Sequence, residues 1–574
     1  MTASRETSKT PRLWRLDDAQ RFLLLAVLIG VCTGLVVVCF HAAIELVDLS
    51  VRDSGRSTAM RVLWPAIGAA AAALIVRAIP VAAGSGIVQT KSALYVSNGH
   101  IPFAGVPGKF SSCVLSIGTG TPLGPEDPAL LMGAGIASRL GRLFGLSQQT
   151  MRLIAPTGAA AGIAAAFNTP ITGVLFVLEE VVAGFDAAVM GSIVLAAASS
   201  VVTSRLFLGE SPLFSVPEVA AVGGPSEVLL YVALGVAGGL FATAYVRMMG
   251  VLRYRLGAIR LPPAVGPLLA GLLVGVVALG WPDVLGTGYR AMDGALHGQY
   301  TWETMAALAA IKCVVSGVAF GTGTPGGLFA PTLFLGVMLG GAVGGVAPGW
   351  LPSGSQSAIV LAGMAAMFAG VFRAPMTAVF MAFELSGTAG SIVPAMIAAT
   401  LAFVVARQLH RQSILDLVAE HEGAVLPSAR LARPDAPLHV EDAMSPPTAV
   451  AVVPAGLGAI EAAAVLDRST STHALVEGDD GRWRVAERLA SREATDDSVR
   501  WLQLRGTGDG DATSTVAGHV TDAVYPDEWL DVALRHLAKA PIVPVVSRLD
   551  GRRLLGVVTA ADVRRAYGIA PPPP

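Results

Sequence analysis

Charge is scarce in this chain of 574 residues. Asp, Glu, Lys and Arg make up 14% of it, where soluble globular chains carry about 25%. The charge that exists leaves long gaps. No charged residue lies between Lys312 and Arg373 or between Arg152 and Glu179, and Glu384 alone interrupts the stretch from Arg373 to Arg407. About 20 apolar residues cross a bilayer as a helix, so the longest gap must hold more than one crossing. That excludes a soluble fold for most of the chain between Phe22 and Arg407. Cysteine is sparse too. Cys32, Cys39, Cys113 and Cys313 sit in apolar segments and form no C-x-x-C pair, which speaks against disulfide or zinc roles and for small buried apolar side chains. A metalloprotease H-E-x-x-H is missing, since His421-Glu422 has no second histidine at the right spacing. The net charge of −1 gives no basic surplus for nucleic acid.

What is present is apolar: 53% hydrophobic residues and a mean hydropathy of +0.62. The chain opens with a polar tail, Met1 to Arg21, and then the apolar run Phe22 to Ile44. That run is too long for a signal-peptide core and reads as the first membrane helix. Arg5, Lys9, Arg12 and Arg15 precede it, and Arg407, His410 and Arg411 follow the last apolar run. The positive-inside tendency then puts both termini in the cytoplasm, with an even number of crossings.

Glycine and proline are abundant, 65 and 36 residues, and they recur inside apolar stretches. Irregular backbone is tolerated at membrane depth where protein shields it or it lines a cavity. Broken, tilted helices meeting near the midplane satisfy that condition better than straight spans. The irregular segments also repeat. Gly118-Thr119-Gly120-Thr121-Pro122 recurs as Gly321-Thr322-Gly323-Thr324-Pro325, and Gly124 to Pro128 faces Gly327 to Pro331 at the same offset. Phe167, Pro170, Thr172, Val174 and Glu179 are echoed by Phe372, Pro375, Thr377, Val379 and Glu384. Such interrupted segments in matching positions point to a transporter's binding site. The expected fold is an all-α polytopic membrane domain of two related halves, inverted if each holds an odd number of crossings.

Past Leu426 the composition becomes that of a soluble protein. Pro427 to Leu438 reads as a linker, and residues 439–574 as a small α/β domain with its own repeat: His439 to Met444 against His519 to Val524. Strands are expected at His473 to Val476 and Pro541 to Val546, and a closing unit at Leu554 to Val563. The pattern resembles a pair of cystathionine-β-synthase (CBS) motifs. The second copy matches well; in the first, a closing strand and T-x-x-D are not evident.

A dehydrated anion wants partial positive charge without a counter-charge that traps it. Helix N-termini supply it through unpaired N–H groups and the helix dipole. Glycine before a helix start, with Ser or Pro nearby, marks three such places: Gly84-Ser85-Gly86-Ile87-Val88, Gly124-Pro125-Glu126-Asp127-Pro128 and Gly327-Leu328-Phe329-Ala330-Pro331. These resemble the patterns G-S-G-I-P, G-K/R-E-G-P and G-x-F-x-P of the CLC chloride channel and transporter family. The likeness extends through Ala164 to Glu180 and spans about residues 22 to 420.

The resemblance implies roles for single residues. Ser85 would donate its hydroxyl to a central anion, with Gly86 and Ile87 beside it, and Leu328 and Phe329 would offer backbone N–H groups. Glu126 would be an external gate whose carboxylate stands in for an anion until it is protonated. Glu180 would exchange protons with the cytoplasmic side, with Glu179 next to it. Carboxylates at membrane depth are costly and therefore functional candidates. The competing readings are helix capping for Glu126, Asp127 and Ser85, an interfacial charge for Glu180, and a structural role for Glu384. Asp562, in Thr559-x-x-Asp562, resembles the residue that holds the ribose of an adenine nucleotide, with helix capping as its alternative.

Four departures from the family pattern stand out: Pro125 for Lys or Arg, Asp127 for Gly, Val88 for Pro, and Leu415 where a tyrosine hydroxyl is common. With both Glu126 and Glu180 present, the resemblance implies chloride/proton antiport, not enzymatic activity, by a homodimer in the plasma membrane. A passive anion channel is the alternative, made credible by Leu415. A magnesium pathway would need several carboxylates facing one cavity, which glycine-rich helix starts do not supply.

Overall fold

The computed structural model describes residues 18–54, 57–95, 97, 99–146, 148–182, 187–214, 216, 224–259, 262–346, 356–421, 438–453, 473–477, 483–487, 519–537 and 540–566. The chain divides into two compact units, Met1–Glu422 and Gly423–Pro574. The linker expected at 427–438 lies, except for Leu438, outside the described residues.

The first unit is helical. Its first half comprises α1 (Asp18–Ser54), α2 (Thr58–Ala78), α3 (Ile87–Tyr95), α4 (Gly105–Gly118), α5 (Glu126–Leu143), α6 (Gln148–Phe167), α7 (Pro170–Phe176) and α8 (Ala187–Leu208). The second comprises α9 (Pro225–Ala258), α10 (Val265–Val277), α11 (Tyr289–Leu296), α12 (Trp302–Gly321), α13 (Phe329–Val346), α14 (Gln356–Phe372), α15 (Pro375–Ser386) and α16 (Ile392–Leu409), with α17 (Ile414–His421) after it. Among the described residues, seven helices are long and apolar enough to cross a membrane, and four more apolar helices are shorter. The surface shows why lipid is the solvent: Leu206, Leu46, Val202 and Leu229 are all exposed. The run Phe22 to Ile44 lies inside α1, which continues ten residues further to Ser54. Of the cysteines, Cys113 and Cys313 are buried as expected, but Cys39 is exposed and Cys32 half-buried, and all four are free thiols.

Local chemistry sets the helix starts. Pro170 and Pro375 open α7 and α15, where a missing N–H costs nothing. Ser57 and Thr301 accept the N–H of Met60 and Thr304, each at 3.4 Å, and so cap α2 and α12. The residues just before the Thr-Pro and Ala-Pro starts, Asn168 and Arg373, have φ of 59° and 64°, a strained region for side chains other than glycine. Arg373 is held there by its own guanidinium. Nη2 donates to the carbonyls of Ala406 (2.9 Å) and His410 (2.7 Å) at the end of α16, a favoured place for a cation.

The duplication seen in the sequence is a duplication of contacts. Helix α1 packs on α8 as α9 packs on α16, and α5 on α6 as α13 on α14. Glycine pairs permit both crossings. A Cβ at Gly133 would lie 2.1 Å from the Gly158 carbonyl oxygen, and one at Gly336 would lie 2.6 Å from that of Gly363, so the backbones touch. Contacts between the halves are reciprocal. Glu179 accepts the N–H of Met376 (3.2 Å) and of Thr377 (2.9 Å) and the Thr377 hydroxyl (2.6 Å). Glu384 accepts the N–H of Ile171 (2.9 Å) and of Thr172 (2.7 Å) and the Thr172 hydroxyl (2.6 Å). Each carboxylate caps the first turn of the other half's helix, α15 or α7, as a local two-fold axis requires. The structural reading of Glu384 holds, and Glu179 shares it.

The second unit is small and α/β. A four-stranded sheet has the order β1 (Ala451–Val453), β2 (His473–Glu477), β3 (Trp483–Glu487), β4 (His519–Val520), and a second sheet pairs β5 (Ile542–Val546) with β6 (Leu554–Thr559). The strands expected near 473, 541 and 554 are present. The closing strand that could not be read in the first copy also exists: β3 pairs antiparallel with β2, Leu475 opposite Val485. Its polar alternation, Trp-Arg-Val-Ala-Glu, hid it. Leu475, Trp483, Val485, Ile542, Val546 and Val557 share one core.

Candidate functional site

Two of the three glycine-flanked helix starts meet directly. Gly124 and Gly327, the equivalent residues of the two halves, form an antiparallel bridge. The Gly124 N–H donates to the Gly327 carbonyl at 2.9 Å, and the Gly327 N–H returns the bond at 2.7 Å. Helices α5 and α13 begin two residues later, at Glu126 and Phe329, so their positive ends converge on one spot. The third start adjoins them. Gly86 has a φ of 100°, and a Cβ there would fall 2.7 Å from Leu131 Cβ and 3.1 Å from the Asp127 carbonyl oxygen on α5. Ser85 is buried, and its Oγ accepts the Ile87 N–H at 3.3 Å, opening α3.

Both acidic residues of the first turn of α5 point into this junction and are buried. A Cβ on Gly124 would lie 2.1 Å from Glu126 Oε2 and 3.1 Å from the Ala330 nitrogen. The carboxylate, the turn and the first-turn N–H of α13 therefore crowd one place. Glu126 Oε1 accepts a hydrogen bond from the Tyr289 hydroxyl; Oε2 is buried, with no hydrogen-bond partner among the described residues. Asp127 Oδ2 accepts the Leu328 N–H at 2.9 Å, while Oδ1 is buried with no hydrogen-bond partner among the described residues. Phe329 is fixed by a ring cluster: its centroid lies 4.6 Å from that of Phe372, 4.8 Å from Phe176 and 5.3 Å from Phe368. That packing orients the first turn of α13 and its N–H groups.

Glu180 is placed differently. It is buried in a π-helical turn, Val177–Val181, a distortion frequent at functional sites. Its Oε2 lies 3.6 Å from Lys91 Nζ on α3, and both side chains are nearly inaccessible. Leu415, at the start of α17, is buried, and α17 packs against α3. Asp562 belongs to the other unit. Its Oδ2 accepts the N–H (2.9 Å) and hydroxyl (2.7 Å) of Thr559, and its Oδ1 accepts from Ser445 (2.6 Å) and Arg565 (2.7 Å). The capping arrangement is thus present there.

The structure also adds residues the motifs did not name. Tyr289 follows Gly286-Thr287-Gly288, which repeats Gly84-Ser85-Gly86 in the second half. Lys109 Nζ donates to the carbonyls of Ala82 (3.0 Å) and Gly84, and Lys312 Nζ to those of Val284 (2.8 Å) and Gly286 (2.7 Å). The paired lysines tie down both glycine loops. A search for a fourth repeated block would have found them.

These features define a polytopic membrane protein whose centre is built from helix starts of two duplicated halves, the construction of a membrane transport protein for ions. The chain belongs to the voltage gated chloride channel family, whose model matches residues 67–407. It is 31% identical over 340 residues to a ClcB-like chloride channel protein of Ralstonia nicotianae, covering 58% of this chain and 76% of that one. It is 29% identical to the H(+)/Cl(-) exchange transporter ClcA of Yersinia pseudotuberculosis, covering 67% and 84%. Among solved structures, a slow cyanobacterial Cl-/H+ antiporter matches with a TM-score of 0.64 and 25% identity over 70% of this chain and 97% of that one. A eukaryotic CLC transporter shares the fold with a TM-score of 0.72 and 18% identity, over 95% of this chain and 98% of that one, a span that includes the tail.

Proposed function

We propose that the protein exchanges chloride for protons across the membrane. The observation that carries this reading is the Gly124–Gly327 bridge, which brings the Glu126 carboxylate to the first turn of α13. Helix starts attract an anion without trapping it. A carboxylate seated there competes with chloride for the same N–H groups, and releases them once it is neutralised. Glu126 is then the gate. Ser85, Gly86, Ile87, Leu328 and Phe329 bound the anion's place, and Glu180 takes protons from the other side. Buried Glu180, paired with Lys91 at 3.6 Å, supplies a second protonatable site. The exchange activity named for the Yersinia relative and for the cyanobacterial antiporter favours exchange over passive conduction.

The same reading takes the protein as a homodimer in the plasma membrane with both termini cytoplasmic, and the tail as a CBS pair. An adenine nucleotide at Asp562 would have to share a carboxylate already bound to Thr559, Ser445 and Arg565. The test uses purified protein in liposomes with chloride and pH electrodes. Glu126→Gln should keep chloride flux and lose proton coupling. Glu180→Ala should stop proton movement and spare chloride. Coupled transport in both variants would refute the assignment, and chloride flux with no proton coupling in the unaltered chain would favour a channel.

A further inference from the structure

The Leu328 N–H faces the junction of the three helix starts, yet it already has an anionic partner, Asp127 Oδ2 at 2.9 Å. The fit is close. A Cβ on Gly327 would lie 2.8 Å from Asp127 Cγ and 3.0 Å from Oδ2, so the bare backbone of Gly327 is what leaves room for this carboxylate. Asp127 is also buried, and its second oxygen has no hydrogen-bond partner among the described residues. A residue that merely capped its own helix would bond to the N–H groups of α5. This one instead reaches across the interface between the halves to the turn that opens α13. It mirrors Glu126, which crowds Gly124 and the nitrogen of Ala330. Two adjacent residues thus turn their carboxylates toward one helix start, Asp127 bonded to the Leu328 N–H and Glu126 packed at Gly124 on the side where the Ala330 nitrogen lies.

We propose that Asp127 is a second built-in anion: its carboxylate occupies the Leu328 N–H that a transported halide would use, so the pathway is closed by two tethered carboxylates. This rests on the reading of the junction as an anion pathway. A halide entering must displace Asp127 from Leu328 as well as Glu126 from its seat, and it meets a negative charge one residue from the gate. Asp127 is therefore a residue that sets anion affinity. Lys109, which acts on it electrostatically, offsets part of that charge.

The test is equilibrium chloride binding by calorimetry to the purified full chain, the unaltered protein beside Asp127→Gly, Asp127→Asn and Glu126→Gln. Removing one of two like charges that share a site should tighten chloride binding by about tenfold or more in Asp127→Gly. Asp127→Asn should tighten it less, because the amide oxygen can still accept from Leu328 but carries no charge. If the glycine variant does not fold, the asparagine variant decides alone, with a threefold or larger gain in support. Chloride affinities of the Asp127 variants within twofold of the unaltered chain, while Glu126→Gln binds chloride, overturn this inference and leave the anion pathway standing. Absence of chloride binding in all four proteins overturns both.

Discussion

Replacing Tyr289 by Phe removes one hydroxyl and leaves the ring in place. That hydroxyl donates to Glu126 Oε1, and Oε2 accepts no hydrogen bond from the described residues. The bond therefore holds the gate in its seat. A hydrogen bond to an ionised group contributes about 1.5–3 kcal/mol, which is about 10- to 150-fold in the ratio of seated to displaced carboxylate. Tyr289, the other partner of that bond, borders open space. A cavity of about 930 Å³ is lined by Pro125, Gly288 and Tyr289, with Arg61 and Arg290 also on its wall. The expected outcome in proteoliposomes is faster chloride turnover, rising toward that ratio until another step limits it. Fewer protons should move per chloride, because the gate leaves its seat without being protonated. Chloride turnover and proton stoichiometry both within twofold of the unaltered chain would refute the hydrogen bond's role as a latch. A fall in thermal stability alone would make Tyr289 a packing residue.

Glu384→Ala removes three hydrogen bonds from the first turn of α7 and should cost about 1–3 kcal/mol, read as a lower melting temperature in detergent with chloride flux per folded molecule retained. Glu179→Ala should do the same through α15; a large loss in one variant and none in the other would count against the local two-fold relation. Gly158→Ala would put a methyl 2.2 Å from the Gly133 carbonyl oxygen, so the α5–α6 crossing must open and the yield of monodisperse protein should collapse; normal yield would show the crossing to be looser. Trp483→Ala empties a buried site in the tail's core at a cost of about 3–5 kcal/mol, and limited proteolysis should then cleave the tail first; resistance equal to that of the unaltered chain would contradict it.

Much of this was legible because the chain is duplicated. Gly124 and Gly327, or Glu179 and Glu384, are recognisable in the sequence as equivalent residues, and a two-fold relation turns equivalence into contact. The three helix starts were readable for a local reason, glycine followed within four residues by a proline or serine. What could not be read is where a carboxylate ends up once two turns interlock. Asp127 was recognisable as an added negative charge, yet nothing in Gly-Pro-Glu-Asp-Pro says that it crosses to Leu328 while Glu126 meets Tyr289, 163 positions away. The pairing of Lys91 with Glu180 depends in the same way on how α3 runs past a π-helical turn. In the tail, the strand Trp483–Glu487 was hidden because short alternating strands look like loops until a partner strand is known.

Proton movement driven by chloride is the most direct test of the claim that an anion and a protonatable carboxylate contend for one place at the Gly124–Gly327 junction. Liposomes holding the unaltered protein, loaded with chloride and diluted into low chloride at matched pH, should take up protons as chloride leaves, and Glu126→Gln should abolish that uptake without stopping chloride. Chloride efflux with a flat pH trace in the unaltered protein would contradict the account.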